Sequence, residues 1–164
     1  RQIIFFIKLI VLLGIIKNTS KIKAKMKLTT KGRYAVMAMA DLASNQNLRP
    51  VSLNEISLRQ NISLSYLEQL FSKLKNEKLV KSVRGSSGGY ILEKNPKDIK
   101  ISNIIFAVDE QVKTLSCKRE SKKGCNGRTV KCITHNLWDD LEKHINDFFD
   151  KVSLNDLVKQ KNIN

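Results

Sequence analysis

The stretch SLNEISLRQNISLSYLEQLFSKLKNEKLVKSVRGSSGGYIL, residues 52–92, decides the fold. Ser52 with Glu55 three residues on has the spacing of a capping box, so a helix opens there with Leu53 and Ile56 on its inner face. Gln60-Asn61-Ile62 reads as a short turn. Ser63 starts the next helix, where Leu64, Leu67, Leu70, Phe71 and Leu74 recur at helical spacing and are expected to face a core. Ser65, Tyr66, Glu68, Gln69, Ser72 and Lys73 are left pointing outward. Lys78 to Val83 then reads as a strand, Arg84 to Gly89 as a flexible turn, and Tyr90-Ile91-Leu92 as the returning strand. Two short helices followed by a hairpin predict a winged helix-turn-helix: mainly α, with a small β-hairpin wing.

Upstream, Thr29 and Thr30 can cap a helix from Lys31 to Ala43, with Tyr34, Met37, Ala38 and Leu42 apolar. Downstream, Asn95-Pro96 closes the unit, which gives a DNA-binding domain over 26–95 and a second unit over 96–164. Ser102 to Glu110 is expected to be a short helix. Residues 111–133 have no apolar period and hold all three cysteines. A long amphipathic helix is predicted from Thr134 to Val152, striped by Leu137, Trp138, Leu141, Ile145, Phe148, Phe149 and Val152. Ser153 with Asp156 caps a last short helix.

Residues 1–25 stand apart. Ile3 to Ile16 is nearly all apolar, but fourteen residues is short for a bilayer span, and no small-residue cleavage site follows. Met26 is the first methionine, and a well-formed helical domain begins beside it. The segment is read as a non-native upstream extension, with a disordered or hydrophobic leader as the alternative, and no stable membrane association is expected. The whole chain carries +15. Arg1, Lys8, Lys17, Lys21, Lys23 and Lys25 with no acid account for six of these charges, so the remainder keeps +9. A basic balance of this size favours a polyanionic partner, here double-stranded DNA.

The second helix of such a pair can enter the major groove. It presents Ser65, Tyr66, Glu68 and Gln69 in its first turn and a half. Gln can pair with adenine bidentately, and Glu can accept from the cytosine amino group. Lys73, one turn beyond Gln69, is placed for phosphate. Arg84, with Gly85 beside it at the tip of the wing, suits a narrow minor groove. The glycines are expected to let the backbone approach the sugar–phosphate wall. No catalytic pair or substrate-pocket motif is visible, so an enzyme is not expected.

Cys117, Cys125, Cys132 and His135 form C-x7-C-x6-C-x2-H. Three clustered cysteines are an odd set for disulfides and point to metal in a reducing, cytoplasmic setting. Three thiolates and an imidazole complete four ligands. A 2Fe–2S cluster accepts such a set, and so does zinc, which usually takes tighter C-x2-C knuckles; three free thiols are the remaining alternative. Lys118, Arg119, Lys122, Lys123, Arg128 and Lys131 would suit an anionic cluster. His144 reads as a helix-surface histidine.

From Met26 onward the chain resembles the iron–sulfur cluster assembly transcription regulators, a family of bacterial winged-helix repressors. The resemblance is carried by MKLTTKGRYAV at 26–36, ISLSYLEQLFSKL at 62–74, LVKSVRG at 79–85, GGY at 88–90, AVDE at 107–110 and CITHNLWDDL at 132–141. It implies a homodimer held by the long helix and a 2Fe–2S cluster on Cys117, Cys125, Cys132 and His135, delivered by the iron–sulfur assembly machinery. It implies DNA contact through Ser65, Tyr66, Gln69 and Arg84, with Glu68 tuning the operator class. Feedback control of cluster-assembly genes follows from the same resemblance. Relatives that sense nitric oxide or iron share the fold and the three cysteines, and the histidine after Cys132 favours the assembly regulators over them. Two departures stand out: Ser86-Ser87 replaces the Pro-Gly usual in the wing turn, and the cysteine spacings are wider than is common.

Overall fold

A computed structural model of the chain describes residues 29–46, 49–85, 87–113, 125 and 131–161. The leader over 1–25, Cys117, Ser86 and most of the cysteine-bearing segment therefore lie outside the described residues.

The order is α1 (Thr30–Asn45), α2 (Leu53–Gln60), α3 (Leu64–Asn76), β1 (Val80–Val83), β2 (Gly89–Leu92), α4 (Ile101–Ala107), α5 (His135–Lys151) and α6 (Leu154–Lys161). Helix starts follow local chemistry. The Thr29 hydroxyl accepts from the Lys31 N–H at 3.2 Å. Ser52 and Glu55 form the reciprocal capping box, with Glu55 N–H to Ser52 Oγ at 3.3 Å and Ser52 N–H to the Glu55 carboxylate at 2.9 Å. Ser153 and Asp156 repeat the pattern at the start of α6.

Helix ends follow a different rule. Asn61, Lys78 and Asp109 adopt positive φ of 52°, 54° and 53°. Leu79 N–H bonds Leu74 C=O and Lys78 N–H bonds Lys75 C=O, a Schellman motif that stops α3. Glu110 N–H to Ile105 C=O and Asp109 N–H to Phe106 C=O stop α4 in the same way. Two expected boundaries are corrected by this. The first strand starts at Val80, not Lys78, and the helix expected over Ser102–Glu110 spans Ile101–Ala107.

The core gathers around α1. Ala35, Ala38, Met39 and Leu42 meet Ile56 of α2, Leu67, Leu70, Phe71 and Leu74 of α3, Val80 of β1, Ile104 of α4 and Leu154 of α6. One apolar position of α1 and one expected core position of α3 lie outward. Met37 is 36% exposed, since the buried stripe of α1 runs through Met39 instead. Leu64 is 40% exposed. As the first residue of α3 it has no preceding turn of that helix to lie over.

The hairpin pairs Val80 with Leu92 and Val83 with Gly89. Val51 bridges Tyr90 on the other edge of β2 through two backbone bonds of 3.0 and 2.8 Å. The wing glycines have an internal explanation. A Cβ on Gly88 would meet Val83 O at 2.5 Å, and one on Gly89 would meet Val51 O at 2.5 Å. The GGY motif is thus required by the protein's own backbone, independently of any approach to DNA. The C-terminal helices are tied back through Ile101 N–H to Val152 C=O at 3.0 Å and Leu154 N–H to Ile99 C=O at 2.8 Å. No helix among the described residues is long and apolar enough to cross a membrane.

Candidate nucleic-acid interface and ligand loop

The sharp turn at Asn61 sets α3 against α2. It is closed by Ile62 N–H to Ser57 C=O at 3.3 Å and by the Ser57 hydroxyl to Ile62 C=O at 2.6 Å. Asn tolerates the left-handed conformation better than most residues, so the turn needs no glycine. With Leu67, Leu70, Phe71 and Leu74 buried, α3 leaves Ser65, Glu68, Gln69 and Ser72 exposed in one band. Tyr66 is only half exposed. Its ring stands edge-on to Tyr34 of α1, centroids 6.0 Å apart and planes at 83°. This contact fixes the one aromatic of this face against α1.

Lys73 is not a free cation. Its Nζ donates to the Asp109 carboxylate at the end of α4, and Lys31 Nζ lies 3.9 Å from the same oxygen. The Lys73 bond holds the Asp109 carboxyl below its ordinary range, and Asp109 in turn raises Lys73. Lys75 Nζ reaches Ser82 Oγ at 3.0 Å and ties α3 to β1. Arg84 and Gly85 are exposed just past β1, and Gly85 has φ 119°, a conformation that requires glycine. Ser65, Tyr66, Glu68, Gln69 and Lys73 therefore share one helix, with Arg84 and Gly85 on the wing.

Behind this face lies a polar network that sequence reading missed. Asp41 of α1 is buried and accepts from Arg59 Nε at 3.1 and 3.0 Å, from a terminal Arg59 nitrogen at 2.6 Å, and from Gln60 Nε2 at 2.6 Å. It locks α2 onto α1. Partners 18 and 19 residues apart leave no local signal.

Two of the four expected metal ligands come together. Cys125 Sγ lies 3.2 Å from His135 Nδ1, and both residues are buried. His135 is the first residue of α5, and its N–H bonds Cys132 C=O at 3.0 Å. Cys132 is exposed, with Sγ 3.6 Å from Thr134 Oγ1. Among the described residues no set of three ligating groups converges, while Cys117 lies outside them. Sulfur and nitrogen donors on one tetrahedral metal stand about 3.5 Å apart. The Cys125–His135 pair fits a shared metal atom, and Cys132 lies just before the α5 N-terminus. His144 is exposed on α5, as expected.

Residues 28–160 match the family model of Rrf2, described as iron-dependent transcriptional regulators. The chain is 49% identical over 138 residues to the HTH-type transcriptional regulator IscR of Pectobacterium carotovorum, covering 84% of this chain and 82% of that protein. It is 53% identical over 133 residues to IscR of Aliivibrio salmonicida, covering 81% and 77%. Among solved structures it is similar to T. potens IscR, with TM-score 0.66 and 39% identity over 82% of this chain and 88% of that one. It is also similar to CymR, the global cysteine regulator of B. subtilis, with TM-score 0.69 and 32% identity over 83% and 98%.

Proposed function

Since this chain belongs to the Rrf2 family of DNA-binding transcription regulators and is not an enzyme, we propose that it is a cytoplasmic repressor of iron–sulfur assembly genes, governed by a 2Fe–2S cluster. The observation that carries the sensor half is the buried Cys125 Sγ at 3.2 Å from His135 Nδ1, with Cys132 preceding the same helix. Cys117, Cys125, Cys132 and His135 would hold the cluster, received from the assembly machinery. When bound, the cluster supplies a charge and a redox state that depend on iron–sulfur supply. Cys125 and His135 would form the inner wall and exclude water, leaving Cys132 on the accessible side. Ser65, Tyr66, Glu68 and Gln69 would read bases, Lys73 would contact phosphate, and Arg84 and Gly85 would enter the minor groove of an operator bound by a homodimer.

Anaerobic reconstitution with iron and sulfide tests the reading. A reddish protein with 2Fe–2S absorption is expected, and His135→Ala should shorten the lifetime of that absorption while leaving the circular dichroism of the fold unchanged. Stoichiometric zinc with no iron uptake would overturn the sensor half, because the same sulfur–nitrogen pair suits zinc. It would leave the DNA-binding half standing.

A further inference from the structure

Asp109 lies where three helices meet. It is the left-handed residue that ends α4, its carboxylate accepts from Lys73 of α3, and Lys31 of α1 lies 3.9 Å from the same oxygen. Its side chain is 74% exposed. An exposed ion pair is ordinarily weak and exchanges freely. Here the backbone that delivers the carboxylate is fixed. The Schellman motif sets the turn at Asp109. The next residue, Glu110, is buried, and its carboxylate accepts the N–H of Thr29 at 3.1 Å and the Thr29 hydroxyl, at the start of α1. Lys31 and Lys73 are close enough to act on each other: burial first and then Lys73 lower the Lys31 ammonium.

A carboxylate and a DNA phosphate are rival partners for one ammonium. We propose that Lys31 and Lys73 form a two-helix phosphate site and that Asp109 guards it, holding the lysine charge in the free protein until a backbone phosphate displaces it. The proposal rests on the DNA-binding reading of α3. Lys73 follows Gln69 by four residues, so the guarded cation lies on the same stripe as a candidate base reader. A phosphate seated between α1 and α3 would set the angle of α3 on the duplex without sensing sequence. Residues 110–113 run from the guard toward the cysteine-bearing segment, so the guard stands between the two halves of the chain in sequence.

The full chain, Asp109→Asn and Asp109→Gly are compared; both replacements tolerate the left-handed backbone. Binding is measured across a salt titration on a mixed-sequence duplex of about 30 base pairs, where phosphate contacts dominate. Both variants should bind about two- to fivefold tighter at low salt, the scale of a released surface ion pair. Their log–log salt slope should match the wild type's, because the same phosphate is seated in every case and only the rival carboxylate is removed. In a background with Lys31→Gln and Lys73→Gln, where no ammonium is left to guard, the same Asp109 changes should do nothing. A slope steeper by about 0.9, the mark of a phosphate contact absent from the wild type, or a gain that persists without both lysines, overturns the guard. Wild-type protein with no salt-dependent binding overturns the DNA-binding reading itself and the guard with it, an outcome distinct from wild-type binding that the Asp109 variants leave unaltered.

Discussion

Asp41 takes a bidentate arginine and a glutamine amide in a place where water cannot replace them. Removing one partner from such a set leaves the others with polar groups and no counterpart. Asp41→Ala should therefore destabilise the protein by about 3 kcal/mol, the low end for a broken buried pair because the Arg59 side chain keeps some access to solvent. Urea unfolding followed by circular dichroism measures it, and a loss below about 1 kcal/mol, the scale of a surface pair, would show the network to be dispensable. Gln69 makes the opposite kind of claim. It is exposed and supports no core contact, so Gln69→Ala should leave stability unchanged. On a cognate site it should cost about 1–3 kcal/mol of binding and relax the preference at one base pair. Equal weakening on every sequence would show that Gln69 positions the protein and does not read bases.

Elements differ in how openly their ends are written. The start of α2 was legible because Ser52 and Glu55 act on each other's backbone across three residues. Glu55 also takes Arg49, which, with the Ser52 bonds, lowers its pKa to about 2. A carboxyl lowered on folding adds stability that is complete above its unfolded value near 4.5 and fades as pH falls toward 2. Glu55→Gln keeps the capping geometry but has no charge to titrate. The wild type should thus lose its advantage over the variant across that window, as read by thermal melting at stepped pH; parallel melting curves would contradict the assignment. The ends of α3 and α4 were not legible. A lysine and an aspartate hold the left-handed positions, where local preference would ask for glycine, so reading carried a strand back to Lys78 and a helix on to Glu110. Packing of the hydrophobic turn, which no local pattern reports, overrides the preference.

At the scale of the molecule, the exposed polar band of α3 was legible because it lies on one helix with a strict period. The Lys73–Asp109 pair was not, since 36 residues separate its partners, and neither was the Glu110–Thr29 tie across 81. The cysteines and the histidine stand out by type, yet only folding brings Cys125 onto His135. The long helix raises the remaining question. On α5, Leu137 and Phe148 are 62% and 61% exposed, and Phe106 of α4 is 66% exposed. Large apolar side chains this exposed on neighbouring helices mark an interaction surface. A second copy of the chain fits, because a two-fold pairing of α5 would present two α3 helices to DNA, and symmetric half-sites require their separation to be about 34 Å or a multiple of it. Light scattering should give twice the mass of one chain. Leu137→Asp with Phe148→Asp should return the single mass, leave the fold intact and weaken binding to a palindromic site far more than to one half-site. A wild-type monomer, or a variant that stays dimeric, would mean that this surface is covered by something other than its own copy.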